Sequence, residues 1–304
     1  MENFPTKILV ATDGSRDAAL AVRAGVDLFS RTEAELHVVH AWRNLRPATL
    51  PAVATDEYSR AYERYEREAA ELLETEVERI RESGGTMTRA HLREGRPAEE
   101  IVALAEELNA DLVVVGSRGL GTVKRLVTGS VSEEVVHLAA CPTLVVRGGE
   151  GAWPPSRLVI GDDSSGEAKR AGDLAASIGR LFDARALLVR AYPRSLLFPA
   201  GAGATGTPDS GETEEALRIG DESLEGRATE LEDFLGMRLE VKAAVADAAT
   251  LIQELAEEGT EPTLVAVGSR GLDAARRFTM GSVSTDLLRA VDGSVLVCPL
   301  PEGA

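Results

Sequence analysis

"VVVGSRGLGTVKRLVTGSVS" spans residues 113–132, and "VAVGSRGLDAARRFTMGSVS" spans residues 265–284. Each copy joins an apolar run to a glycine-rich loop. Nine residues separate Gly119 from Gly129 in the first copy and Gly271 from Gly281 in the second. A short apolar run bounded by turn residues reads as a buried strand, and the periodic residues after Gly-Ser-Val-Ser read as a helix. A strand–loop–helix unit that occurs twice marks a duplicated domain.

Other stretches repeat at nearly the same distance. "KILVATDGS" (7–15) matches "RLVIGDDSS" (157–165), and "AELHVVHAW" (34–42) matches "ARALLVRAY" (184–192). "IVALAEE" (101–107) matches "LIQELAEE" (251–258) in the same order. Between the halves lies "GGEGAWPPS" (148–156), a Gly/Pro stretch suited to an exposed linker. The expected organisation is a domain over 1–148, a linker over 149–156 and a second domain over 157–304.

Within the first half, strands are expected at 7–12, 34–41 and 86–92, then at "ADLVVVGS" and "CPTLVVR". Helices are expected after Ser15, a suitable N-cap, over Asp56–Ser83, from Pro97 and from Gly-Ser-Val-Ser. The long helix carries one apolar stripe from Tyr58 to Ile80 at three- and four-residue steps. Strands alternating with helices imply an α/β domain with a five-stranded parallel sheet of order 3-2-1-4-5 and helices on both faces. Ligands bind such sheets outside the strand carboxyl ends, where the winding direction switches. The first and fourth strands flank that point, so Asp13-Gly14 and Gly116-Ser117 open on one crevice.

Gly116 and Gly119 would turn the chain off the fourth strand. Gly129 and Ser130 would begin the next helix, whose free N–H groups attract an anion, and the Ser130 and Ser132 hydroxyls add donors. Asp13, across the crevice, would face ribose hydroxyls or a phosphate-bound Mg2+. Lys124, Arg125, Arg276 and Arg277 lie within reach of a terminal phosphate or stand as solvated loop charges. Asp13 and Asp163 have a competing reading as helix caps. The loop is not a Walker A motif, because Thr128-Gly129-Ser130 stands where Gly-Lys-Ser/Thr would be. Nor is it a dinucleotide fingerprint, which would follow the first strand.

Composition narrows the partners. With 33 basic and 50 acidic residues the formal charge is −17, which disfavours nucleic acid and anionic membranes. No apolar run approaches the roughly 20 residues that span a bilayer. The N-terminal residues lack the features of a secretory signal, so a cytoplasmic protein is expected. Two cysteines, Cys141 and Cys298, make no disulfide framework and read as small buried apolar residues at a strand start. The four histidines are scattered along the chain, and no spacing suggests a metal site.

Gly-x₂-Gly-x₉-Gly-Ser after a fourth strand, with "ILVATDGS" at the first, resembles the ATP-binding branch of the universal stress protein family in its tandem form. The resemblance covers nearly the whole chain. It implies two Rossmann-like domains of the adenine nucleotide alpha hydrolase-like kind. It implies that ATP, with Mg2+ as a companion, lies against Thr12, Asp13 and the backbone of Ala41. Gly116, Arg118, Gly119, Gly129, Ser130, Val131 and Ser132 would surround its ribose and phosphates. In the second half the same resemblance selects Asp162, Asp163, Ala191, Gly268, Arg270, Gly271, Gly281, Ser282, Val283 and Ser284. That half departs at Ser164, which replaces Gly14, and at "VADA" (245–248), which replaces "EGRP" (94–97).

No Glu, His or Gln is placed by the pattern beside the phosphates to activate water. A nucleotide-dependent regulator of stress response with at most slow hydrolysis is therefore expected, without a catalytic residue. The alternatives are a true ATPase or nucleotide transferase, and a nucleotide-free scaffold. The resemblance further implies a homodimer of the tandem chain and a protein partner that the residues do not name.

Overall fold

The computed structural model describes residues 4–43, 55–117, 130–149, 151–193, 210–236, 238–269 and 280–300. The chain divides into two compact units, Met1–Arg147 and Gly148–Ala304.

The first unit runs β1 (Lys7–Ala11), α1 (Arg16–Ser30), β2 (Glu35–Trp42), α2 (Thr55–Glu82) and β3 (Arg89–Glu94). It continues with α3 (Pro97–Leu108), β4 (Leu112–Gly116), α4 (Ser130–Leu138) and β5 (Thr143–Val146). All its strand pairs are parallel, in the order β3-β2-β1-β4-β5. β1 is central: Ile8 pairs with Leu36 on one side and Leu112 on the other. Ile8, Leu9 and Val10 are fully buried, as expected of a parallel strand covered on both faces. Each such side chain stabilises the fold by about 1.5–3 kcal/mol relative to exposure.

The second unit repeats the plan as β6 (Arg157–Gly161), α5 (Gly166–Leu181), β7 (Arg185–Tyr192), α6 (Ser210–Leu235) and β8 (Glu240–Val245). Then follow α7 (Ala248–Glu257), β9 (Thr263–Gly268), α8 (Ser282–Ala290) and β10 (Ser294–Cys298). Its sheet is also parallel, in the order β8-β7-β6-β9-β10. The expected α/β architecture and strand order therefore hold in both units.

Three elements differ in detail from the sequence reading. β3 begins at Arg89 rather than near residue 86, because the chain must first climb from the end of α2 to the sheet. Thr88 makes the join: its N–H donates to the Leu36 carbonyl at 2.7 Å, and its Oγ1 accepts from Leu36 N–H at 3.0 Å. The apolar stripe of α2 is core at Ala69, Leu73 and Ile80, yet Tyr65 is 43% exposed. Buried in the same stripe is Glu76, 2% exposed and ion-paired with Arg79. Cys298 closes β10 rather than opening a strand, and Cys141 is half-buried ahead of β5.

Candidate functional site

The carboxyl ends of β1 and β4 lie side by side, and the helices that follow them begin there. After β1, Thr12 is held by its N–H on the Val39 carbonyl at 2.9 Å. Gly14 takes φ +75°, and its N–H donates to Thr12 Oγ1 at 3.2 Å. Asp13 Oδ1 accepts from Ser15 N–H at 3.0 Å, and Ser15 Oγ accepts from Ala18 N–H at 3.2 Å. Ser15 is thus the cap of α1, while Asp13 sets the turn that presents the cap. Ala41, half-buried near the end of β2, completes this rim.

Gly116 is a packing glycine. A Cβ there would stand 2.5 Å from the Asp17 carbonyl carbon and 2.6 Å from Ala18 N. The bare backbone lets the first turn of α1 seat directly on the end of β4. Gly116, expected at a turn off the fourth strand, occupies the last position of β4. The next residue, Ser117, is fully buried and was absent from the sequence candidates. Its Oγ donates to Asp17 Oδ2 at 2.6 Å, and its carbonyl accepts from Ser132 Oγ at 3.1 Å. The start of α4 is thereby tied to the end of β4. Ser132 is buried in that tie, while Ser130 and Val131 are exposed beside it. The repeated "GSRGL" was the available signal for Ser117.

The second unit builds the same frame with different chemistry. Gly268 seats on α5, where a Cβ would meet Glu167 Cβ at 2.7 Å and Ala168 N at 2.9 Å. Ser284 Oγ donates to the Ser269 carbonyl at 3.1 Å, and Gly281 N–H donates to the same carbonyl at 2.7 Å. Gly281 is the N-cap of α8 in extended conformation, with no side-chain cap; Ser282 is exposed and Val283 half-buried. Asp163 Oδ1 accepts from Ser165 N–H at 2.9 Å, matching Asp13. Ser164 keeps the left-handed backbone of Gly14, at φ +67°. Ala191, near the end of β7, matches Ala41. Asp162, matching Thr12, is ion-paired with buried Arg190. The Ser269 hydroxyl, matching Ser117, is buried without a hydrogen-bond partner.

Arg118, Gly119, Gly129, Arg270 and Gly271 lie outside the described residues, as do Lys124, Arg125, Arg276 and Arg277. The structure thus brings together Thr12, Asp13, Gly116 and Ser130–Ser132 in one unit, with Ala41 one strand away. In the other it brings together Asp162, Asp163, Gly268 and Gly281–Ser284, with Ala191 alongside.

Two of the histidines that looked scattered in sequence meet in space. His37 Nδ1 and His91 Nε2 are 2.9 Å apart, on neighbouring β2 and β3. Burial, then the His37, Arg89 and Arg93 charges, lower the His91 pKa to about 4, against a raising effect from Glu107. His37 Nε2 also lies 3.3 Å from Glu35 Oε2. Cross-strand adjacency is invisible in spacing alone. His40, by contrast, is buried with Nδ1 on the Thr12 carbonyl at 2.8 Å, which assigns its proton to Nδ1. Among the described residues no cluster of three or more His, Cys, Asp or Glu could hold a metal ion, and no helix is long and apolar enough to cross a membrane.

Comparison with known proteins agrees with this frame. The model of the universal stress protein family matches residues 5–147 and again 155–299. The universal stress protein YxiE of Bacillus subtilis is 36% identical over 149 residues, which are 46% of this chain and 98% of that protein. The universal stress protein MJ0531 of Methanocaldococcus jannaschii is 34% identical over 146 residues, 48% of this chain and 84% of that protein. Among solved structures, a universal stress protein from Archaeoglobus fulgidus has a similar fold, with a TM-score of 0.65 at 20% identity. That likeness covers 96% of this chain and 98% of the other. The chain belongs to the universal stress protein family and carries two of its domains in tandem.

Proposed function

We propose that the chain binds ATP and acts as a nucleotide-dependent regulator in the stress response. The observation that carries this reading is the seat of α4 and α8. In each unit a serine hydroxyl, from Ser132 or Ser284, fixes a helix N-terminus onto the carbonyl after the fourth strand at 3.1 Å. That places a helix N-terminus at the switch point of a parallel sheet, where phosphate oxygens are favoured. The glycine N-cap of α8 supplies no side-chain acceptor, so the cap itself does not compete for the helix N–H groups.

The donor set fits a nucleotide triphosphate. Backbone N–H groups and the exposed Ser130 and Ser282 hydroxyls suit phosphate oxygens. Thr12, Asp13 and Ala41 would hold the nucleoside end in the first unit, and the half-buried Asp13 carboxylate would face the ribose or Mg2+. When bound, ATP supplies a concentrated negative charge for these donors to meet. The acidic side chains after β1 and in the first turn of α1 already accept hydrogen bonds: Asp13 from Ser15 N–H, and Asp17 from Ser117 Oγ. Neither is placed as a base for water. The protein therefore retains ATP and hydrolyses it at most slowly. This reading puts the tandem chain in the cytoplasm as a homodimer that signals to a protein partner.

Purified protein incubated with ATP and Mg2+ under single- and multiple-turnover conditions separates the readings. Retention without turnover on the minute scale is the expected outcome. Many turnovers per minute would establish an ATPase or nucleotide transferase instead. Light scattering of the eluted peak measures the dimer.

A further inference from the structure

The two crevices are not equivalent, and their difference lies at one register position. β2 and β7 are matched strands, and His40 in one stands where Arg190 stands in the other. His40 ends on the Thr12 carbonyl at 2.8 Å, so its contact stays between two strand ends. Arg190 reaches further. Its guanidinium is ion-paired with Asp162, at the end of β6, and its Nη1 donates to the Gly220 carbonyl in α6 at 2.6 Å. Arg190 is 5% exposed and Asp162 6% exposed, so the pair is sealed in the fold.

The crossover helix comes down onto this pair. A Cβ on Gly220 would stand 2.4 Å from Tyr192 Oη, and Tyr192 Oη donates to Asp221 Oδ1 at 2.9 Å. β7, β6 and α6 are thus fastened together at the carboxyl end of β6, through Arg190 and Tyr192. At the helix seat, Ser117 donates to Asp17 in the first unit, whereas Ser269 Oγ is buried with no partner in the second. Glu167 replaces Asp17 there, and the bond under the helix seat is lost. Ser164 adds a side chain, at φ +67°, where the first unit has Gly14.

We propose that the Arg190–Asp162 pair is a built-in clasp that closes the second crevice to nucleotide, so that the chain takes one ATP, in its first domain. Entry at the β6 end would require a ligand to part a desolvated ion pair and lift α6, and both are costly. The second domain then serves as a closed companion whose crevice is held by its own residues. This inference rests on the nucleotide reading of the first crevice.

Equilibrium dialysis with Mg2+-ATP, counted per chain, tests it on wild type and on a reciprocal pair of variants. Wild type binds one equivalent. Arg190→His combined with Asp162→Thr copies the first domain's residues into the second and gains one equivalent. Thr12→Asp combined with His40→Arg carries the clasp into the first domain and loses one. Circular dichroism and melting curves establish that each variant is folded. Two equivalents on wild type overturn the clasp at once, whatever the variants do. No gain by a folded Arg190→His, Asp162→Thr protein overturns it too. If that variant unfolds, undiminished binding by folded Thr12→Asp, His40→Arg protein has the same force. Zero equivalents on wild type overturn the nucleotide reading, while a gain by the first variant still supports the clasp.

Discussion

Gly116 and Ser117 together decide how closely α1, β4 and α4 meet. The Cβ of Gly116→Ala would fall within 2.6 Å of the Asp17 and Ala18 backbone, which has no flexible end to move aside. The variant should lose about 1–3 kcal/mol of stability, as overpacked sites do, read as a lower urea midpoint at unchanged slope. Ser117 and Ser269 make a sharper comparison because they are matched serines in unequal surroundings. Ser117→Ala removes a buried bond to a carboxylate and should cost about 1–3 kcal/mol. Ser269→Ala deletes a hydroxyl that has no partner, so it should lie within about 0.5 kcal/mol of wild type or above it. Equal losses at the two positions would contradict the asymmetry. The sequence shows both serines inside the same "GSRGL", and nothing in the motif tells them apart. Their difference comes from Asp17 and Glu167, 100 and 102 residues earlier in the chain.

At the scale of elements, the helix starts carry the most instructive contrast. α3 opens on Pro97, with Arg96 as an N-cap whose side chain bonds Glu99 and Glu134 rather than capping the helix. α7 opens instead on Asp247, whose Oδ1 accepts from Thr250 N–H and Thr250 Oγ1, each at 2.9 Å. The "VADA" that departs from "EGRP" thus exchanges a proline start for a carboxylate cap. Those bonds to Thr250 hold the Asp247 carboxyl below its ordinary value of 3.8. A group lowered on folding stabilises above its unfolded pKa and loses that contribution as pH falls through its folded pKa. Asp247→Ala should therefore cost about 1 kcal/mol at pH 7, with the gap to wild type closing as pH drops below 3.8. Denaturation midpoints at the two pH values measure it. The helix starts at Ser15 and Pro97 were legible from local signatures and the strand order from the alternation of strands and helices, whereas the packing role of Gly116 was not. Glu76 inside an apolar stripe and the His37–His91 contact were not, because both depend on which elements become neighbours.

Over the whole chain, duplication explains the repeated loop, and divergence explains why its copies differ. The strands and seats are kept: Gly116 and Gly268 both pack on a helix start, and Ser132 and Ser284 both tie a helix to a strand end. What changed lies around the crevice, where Thr12, His40 and Asp17 became Asp162, Arg190 and Glu167. Ser164 and "VADA" stand out by position alone. The reach of Arg190 across to α6 has no sequence signal, since an arginine in a strand gives no direction. With a formal charge of −17, the protein offers an anion no general attraction, so any nucleotide must be held by local donors. The central claim is that such donors hold ATP. Melting of the full chain with and without Mg2+-ATP tests it most directly, read beside mass spectrometry of nucleotide released on denaturation. At about 100 times its dissociation constant a ligand adds roughly 2.7 kcal/mol of stability, so the melting temperature should rise by several degrees. An unchanged melting temperature at millimolar Mg2+-ATP, in protein that releases no adenine nucleotide, would contradict the account.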